Sequence, residues 1–185
     1  MKRILAILLV LLILPGCGGQ TSELDRAMAL RTKLLSQNVE FNAQITADYG
    51  DVIHAFSLSC QADHLGNVQF TVTAPESIKD ITGSIRSGTG KLTFDDQAIA
   101  FDLLADGQLS PISAPWIFIK ALQSGYLTSC GKEGEQLRLA VDDSYADDAL
   151  HLDIWLGDGD LPIRAEILWQ GRRLLSMDVT NFTFV

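Results

Sequence analysis

A strict two-residue alternation in the first third of the chain is the feature that most constrains its fold. From residue 39 to residue 49, every odd position is apolar and every even position is polar. Successive side chains of a β-strand point to opposite faces, so this pattern predicts a strand with one face in the core and the other in solvent. One-sided burial is typical of antiparallel sheets.

The alternation returns after each turn signal along the rest of the chain. Turn residues recur at the spacing of a meander of hairpins. A change of phase near Thr180-Asn181 predicts a β-bulge. We expect an α+β, mainly β, fold, with about eleven antiparallel strands in a curved sheet that forms an incomplete barrel. Further strands are predicted from apolar positions in 52–60, 68–72, 78–85, 92–94, 99–103, 126–130, 135–141, 150–156, 163–169 and 175–184.

Two segments have the pattern of helices. Ser22 is a plausible N-cap for an amphipathic N-terminal helix of about fifteen residues. A second helix is inserted in the meander, with Ser113 as its cap, Pro115 in its first turn and Gly125 at its end. Because residues 116–122 are apolar on nearly all sides, this helix is expected to be covered on most sides.

The first seventeen residues have the layout of a secretory leader. Lys2 and Arg3 precede an apolar run that ends in Leu14-Pro15-Gly16-Cys17, which resembles the lipobox of bacterial lipoproteins. The resemblance implies that residues 1–16 are a signal peptide and that Cys17 is the acylated membrane anchor. A transmembrane helix is the first alternative, but a run of about eleven residues is well short of the roughly 20 that a span needs. A cleaved, unlipidated signal is the second alternative.

The remaining chain divides into a short tether at 17–22 and a single domain at 23–185. Loss of Lys2 and Arg3 with the leader makes the net charge of −9 more negative by two charges. An acidic protein is a poor partner for nucleic acid and is not drawn electrostatically to an anionic membrane. We expect an exported protein, lipid-anchored to the outer face of the cell membrane or, in a Gram-negative cell, to the outer membrane.

Cys60 and Cys130 remain after Cys17 is assigned to the anchor. In an exported protein such a pair suggests a disulfide, which would close a loop of about 70 residues and add about 4 kcal/mol in the chain-entropy model. The alternative is two unpaired thiols. No His or second Cys lies at ligand spacing to either residue, so we expect no metal or other cofactor.

The sequence offers little support for catalysis. His54, His64 and His151 each stand alone in sequence; His54 shares the parity of the apolar positions of its strand, and His64 precedes a turn. The acidic segment 157–160 lacks the oxygen spacing of an EF-hand calcium loop. Neither Ser-x-x-Lys nor Gly-x-Ser-x-Gly occurs. We therefore expect a protein that is not an enzyme.

The arrangement of exported leader, N-terminal helix, alternating strands and inserted helix resembles the lipoprotein-carrier (Lol-type) fold. The phrases that carry the resemblance are 70–76 (Phe-Thr-Val-Thr-Ala-Pro-Glu), 109–111 (Leu-Ser-Pro) and 181–184 (Asn-Phe-Thr-Phe). That fold has an incomplete barrel with helices as a lid over a lipid-binding cavity. The soluble periplasmic carrier has no lipobox, so the chain is more similar to the anchored acceptor of this fold or to lipid-carrying Gram-positive and mycobacterial lipoproteins.

The resemblance implies an anchored protein that binds or transfers a lipid or acyl chain. An envelope sensor that docks a protein partner through the same curved sheet is the alternative, and a sandwich with no cavity is a further structural one. Cavity volume separates ligand binding from partner docking. By position, the candidates for a lid over a cavity are Trp116, Ile117, Phe118 and Leu122, whose other interpretation is ordinary core.

Overall fold

The computed structural model describes residues 22–185 except 95, 96, 103, 106 and 107. The predicted signal peptide, Cys17 and all of the tether but Ser22 lie outside these residues. The two described α-helices are α1 (Glu23–Leu34) and α2 (Ala114–Ser124). The strands are β1 (Val39–Asp48), β2 (Ile53–Ala62), β3 (Val68–Ala74), β4 (Thr82–Arg86), β5 (Thr89–Phe94), β6 (Gln97–Asp102), β7 (Leu104–Ala105), β8 (Gln108–Leu109), β9 (Tyr126–Glu133), β10 (Gln136–Asp142), β11 (Leu150–Leu156), β12 (Pro162–Trp169) and β13 (Arg172–Phe184).

Eleven of the strands form one antiparallel sheet, in the order β6-β5-β4-β3-β2-β1-β13-β12-β11-β10-β9. Neighbours in the sheet are neighbours in sequence except at its centre, where the first and last strands pair. Strands β6 and β9 are the two edges, so the sheet is open. This is the mainly β, incomplete-barrel architecture that the alternation and the resemblance predicted, and the fold-class prediction is confirmed. The short β7–β8 hairpin was not expected.

The pairing of β1 with β13 contains the predicted bulge. Glu40 pairs with Thr183, whereas Asn42 pairs with Thr180, so β13 has one more residue than β1 across this step. Asn181 takes up the extra residue with a φ of 53°. The bulge explains why the apolar positions of β13 change phase near its end.

The core lies between the concave face of the sheet and the two helices. Phe118 of α2 is fully buried and packs edge-to-face on Phe41 of β1, with ring centroids 5.9 Å apart. Phe182 of β13 stacks on the same ring at 5.6 Å. Among the described residues, no helix is long and apolar enough to cross a membrane.

Helix α1 begins as the sequence predicts, at a capping box. Ser22 Oγ accepts a hydrogen bond from the Asp25 N–H at 3.1 Å, and Asp25 Oδ2 accepts one from the Ser22 N–H at 3.2 Å. Helix α2 begins differently. Ser113 stands at its N-cap but its hydroxyl donates to the carbonyl of Ser110 at 2.5 Å, so the expected side-chain cap is absent.

Candidate functional site

A cavity of about 640 Å³ lies between α2 and one end of the sheet. Its floor is formed by buried residues that include Leu109, Ile117 and Ala121. The opposite walls come from Leu150 at the start of β11 and Leu174 near the start of β13. The strand ends meet here because the sheet is antiparallel, which brings the β10–β11 loop and the β12–β13 turn to the same edge.

The mouth of the cavity is more polar than its floor. Asp143 and Asp148, from the loop between β10 and β11, are exposed and line it. Lys120 and Ser124 approach from α2, and Trp169 lies 38% exposed at the end of β12. An apolar interior with a few polar groups at the opening is the usual composition of a small-molecule site.

Helix α2 is held over the cavity mainly through its backbone. Arg31 of α1 donates to the carbonyls of Leu122 and Gly125, each at 2.8 Å, which satisfies carbonyl groups at the C-terminal end of α2. Burial lowers the pKa of the Arg31 guanidinium. At the other end, the hydroxyl of Tyr49 donates to the carbonyl of Leu109 at 2.5 Å. Burial raises the pKa of this phenol, which favours the neutral donor.

The turn after α2 requires a glycine. A Cβ at Gly125 would lie 2.3 Å from Val141 Cγ1 and 2.7 Å from the Ala121 carbonyl oxygen. The close approach seats α2 directly on β10, and Gly125 itself lines the cavity.

The predicted lid residues divide between the cavity and the core. Trp116 and Ile117 line the cavity. Phe118 is buried against Phe41, and Leu122 faces α1 beside Met28. The sequence analysis did not identify the β10–β11 loop, Lys120, Trp169 or Leu174 as part of the site. The one available signal was the acidic composition of residues 142–148, which indicates a solvated loop but no cavity.

Cys60 and Cys130 are free in the structure, so the expected disulfide is not formed. They lie on β2 and β9, with five strands between those two in the sheet order. Cys60 is buried in the core, and burial raises its pKa far above the usual range. This is the alternative of two unpaired thiols, in which Cys60 acts as a small apolar side chain.

The histidines also differ from expectation. His54 is exposed, because β2 pairs with β3 only from Ser57 onward and its first residues have only β1 beside them. His64 is exposed as predicted. His151 does not stand alone: its Nδ1 lies 2.6 Å from Asp142 Oδ1, and its Nε2 lies 3.5 Å from Asp153 Oδ1.

The His151 group lies on the outer face of the sheet, away from the cavity. Arg138 donates to Asp153 at 2.7 Å, and this hydrogen bond raises the pKa of Arg138. Alternate residues of β10 and β11 carry these side chains, whereas the residues between them face the core. In the part of the chain that the structure describes, no group of three or more His, Cys, Asp or Glu residues is arranged to hold a metal ion.

No protein-family model matches the chain. No curated protein matches it in sequence.

Comparison with solved structures finds chains of similar architecture. An uncharacterized conserved protein from Thermus thermophilus matches with a TM-score of 0.49 and 12% identity, over 89% of this chain and 88% of that one. A LolA superfamily protein from Nitrosomonas europaea matches with a TM-score of 0.45 and 9% identity, over 86% and 93%. The Mycobacterium tuberculosis lipoprotein LppX matches with a TM-score of 0.42 and 12% identity, over 86% and 92%. Each similarity is one of overall architecture.

Proposed function

We propose that this protein is a membrane-anchored lipoprotein that binds the apolar chain of a lipid or similar amphiphile beneath α2. The observation that carries the proposal is the cavity of about 640 Å³, which falls within the range of small-molecule sites. The proposed role is binding or transfer, without a chemical step at the site.

The walls of the cavity suit a hydrocarbon chain. Ile117, Leu150 and Leu174 offer it no hydrogen-bonding side chain. Removing apolar surface from water contributes about 25 cal/mol per Å², so an acyl chain would gain affinity from each methylene that it places against these walls. In this proposal Trp116 and Ile117 serve as the lid, and Phe118 anchors the same helix in the core.

The mouth suits the polar end of an amphiphile. Asp143, Asp148, Ser124 and Lys120 lie where the cavity meets solvent, so a head group would remain hydrated there. A ligand that enters chain first would keep its polar groups in water and lose only apolar hydration.

The proposed anchor at Cys17 would keep the cavity close to a bilayer. Six residues separate Cys17 from Glu23, and an extended chain spans at most about 3.6 Å per residue. The domain would therefore stay within roughly 20 Å of the acylated cysteine. Two or three acyl chains on one cysteine would make the attachment stable.

Docking of a protein partner on the concave face is not favoured as the function. Much of that face packs on α1 and α2 and is buried, including Phe41, Ile45, Leu152 and Met177. A partner would have to displace both helices to reach it.

The test is to recover the ligand from the protein. Full-length chain is expressed in a lipoprotein-processing bacterium, purified, extracted with organic solvent and analysed by mass spectrometry, and the emptied protein is titrated with a hydrophobic fluorescent dye. We expect co-purified lipid and saturable dye binding. Absence of both would overturn the proposed binding function.

A pair of substitutions in one loop locates the binding. Ala149 lines the cavity and Ala146 lies exposed three residues earlier. Ala149→Trp is expected to fill the mouth and weaken dye binding about ten-fold or more, whereas Ala146→Trp is expected to leave it unchanged. Equal effects of the two substitutions would place the dye elsewhere.

The anchor is tested separately by Cys17→Ser. We expect this variant to leave the membrane fraction and the unsubstituted chain to yield an acylated N-terminal peptide beginning at Cys17. If the variant remains membrane-bound, the anchor is another part of the chain.

A further inference from the structure

The indole nitrogen of Trp116 has no hydrogen-bond partner. Its Nε1 is buried, and among the described residues it is the one buried side-chain nitrogen or oxygen without an acceptor or donor. Trp155 shows the ordinary arrangement, with its Nε1 donating to Glu133 Oε2 at 3.1 Å. Buried polar groups in folded proteins are almost always paired, so an unpaired one calls for a physical explanation.

The position of Trp116 supplies that explanation. Its side chain lines the cavity near the N-terminal end of α2, where the neighbouring walls are apolar. An indole N–H is a donor and cannot accept, so it needs an acceptor. An acceptor that enters with the ligand would satisfy a group that the protein leaves without a partner.

The charge at the mouth restricts what that acceptor is. Among the residues that line the cavity, one lysine faces two aspartates, Asp143 and Asp148, so the formal charge is negative. A free carboxylate would be disfavoured beside them, and burying it would add a desolvation penalty. A neutral carbonyl has neither cost.

Building on the proposed function, we propose that the ligand is an acylated amphiphile whose ester or amide carbonyl accepts a hydrogen bond from Trp116 Nε1. The acyl chain lies on the apolar walls, and the head group points to the mouth. Trp116 is thereby a specificity-determining residue that distinguishes acyl esters or amides from hydrocarbons, ethers and free fatty acids.

The experiment compares two matched probes on full-length chain carrying Cys17→Ser. Monolauroylglycerol has an ester carbonyl, and dodecyl glyceryl ether has a methylene in its place. In a ¹⁵N–¹H correlation spectrum, the Trp116 indole signal, identified by its loss in Trp116→Phe, is expected to move downfield with the ester and much less with the ether. The Trp155 signal is expected to stay in place with both.

Affinities give a second measurement. Trp116→Phe keeps an aromatic ring and is expected to weaken ester binding about five-fold while leaving ether binding unchanged, which corresponds to the loss of one neutral hydrogen bond. Trp155→Phe, on the outer face, is the matched control and is expected to change neither. Laurate is expected to bind more weakly than its glycerol ester.

The outcomes separate the two proposals. If both probes bind equally and the Trp116 signal responds to them alike, the carbonyl assignment is wrong and the binding function stands. If neither probe binds, both proposals fall. If Trp116→Phe does not fold, the indole shift in the unsubstituted tryptophan background still decides the question.

Discussion

Asp63 ties its own charge to the folded state through the turn between β2 and β3. Its Oδ1 accepts from the N–H groups of Leu65 and Asn67, each at 2.9 Å, and its Oδ2 accepts from the Asn67 amide at 2.8 Å. Partial burial by itself raises the pKa of Asp63, but these hydrogen bonds outweigh it and lower the pKa below its usual value. The ionised form is therefore the one that the fold stabilises.

The stabilising contribution of Asp63 should be lost in acid. Because its folded-state pKa is depressed, the contribution is fully present above the unfolded-state pKa of about 3.9 and declines as the pH falls through the folded-state value. Asp63→Ala is expected to lower the free energy of unfolding by about 1 kcal/mol at pH 7. Urea unfolding of both proteins from pH 7 to pH 2.5 checks this: the difference should shrink in acid, and a constant difference would contradict it.

The two free cysteines should differ in reactivity. Burial raises the pKa of both thiols; at Cys130 the nearby Glu23 adds to this and Arg26 opposes it. Because the thiolate is the nucleophile, we expect slow alkylation of Cys130 in the folded protein and alkylation of Cys60 only after unfolding. Peptide mass spectrometry after alkylation, with and without reductant, checks this. A disulfide would instead show labelling of both only after reduction.

At the scale of elements, Arg31 is the main polar link between the two helices. It makes a charged donor of α1 bind the C-terminal carbonyls of α2, where a cation is favoured by the helix dipole as well. Arg31→Met is expected to lower the free energy of unfolding by about 2 kcal/mol, since buried carbonyls would lose a charged donor. Arg86→Met, at an exposed position on β4, is the control and should change it by less than about 0.5 kcal/mol. Urea midpoints measure both.

The junction of α2 with β9 should be equally sensitive to volume. Gly125→Ala places a Cβ against Val141 and the Ala121 carbonyl, and is expected to cost about 2 kcal/mol. Gly131→Ala in β9 is the matched control, because a Cβ there meets nothing within 4 Å. Thermal unfolding followed by circular dichroism should show a lower midpoint for the first variant alone. Equal midpoints would mean that α2 shifts freely.

At the scale of the whole molecule, a ligand in the cavity should stabilise the entire domain by mass action. At about 100 times its dissociation constant, a ligand that binds only the folded state adds about 2.7 kcal/mol. For a domain of this size we expect monolauroylglycerol to raise the melting temperature by about 6 °C. Ala149→Trp should melt normally without ligand and show a much smaller rise with it. A full rise in that variant would indicate binding outside the cavity.

Local patterns predicted most of the elements because burial on one face is recorded in the period of the sequence. The alternation at 39–49 became β1, Ser22 became the cap of α1, and the phase change near Asn181 became a bulge. His54 was misjudged because its parity is that of the core, whereas its exposure depends on where β3 stops pairing with β2. Sequence parity does not contain that information.

The site was predictable only in part, for the same reason. The apolar helix pointed to Trp116 and Ile117, which line the cavity, and equally to Phe118 and Leu122, which pack elsewhere. Which side of a helix that is apolar all round faces a cavity depends on what lies opposite. Here that is Leu150 and Leu174, at the ends of two strands that are distant from α2 in sequence.

The amino-acid sequence by itself determined the strands, the helices, the acidic charge and the lipobox-like segment, because each depends on neighbouring residues along the chain. Only the tertiary structure decided that α2 stands off one end of the sheet and leaves a cavity, that the two cysteines lie on separate strands, and that the Trp116 N–H lacks an acceptor among the described residues. These properties arise from packing between segments far apart in sequence, where small differences in position decide whether two surfaces meet or leave space.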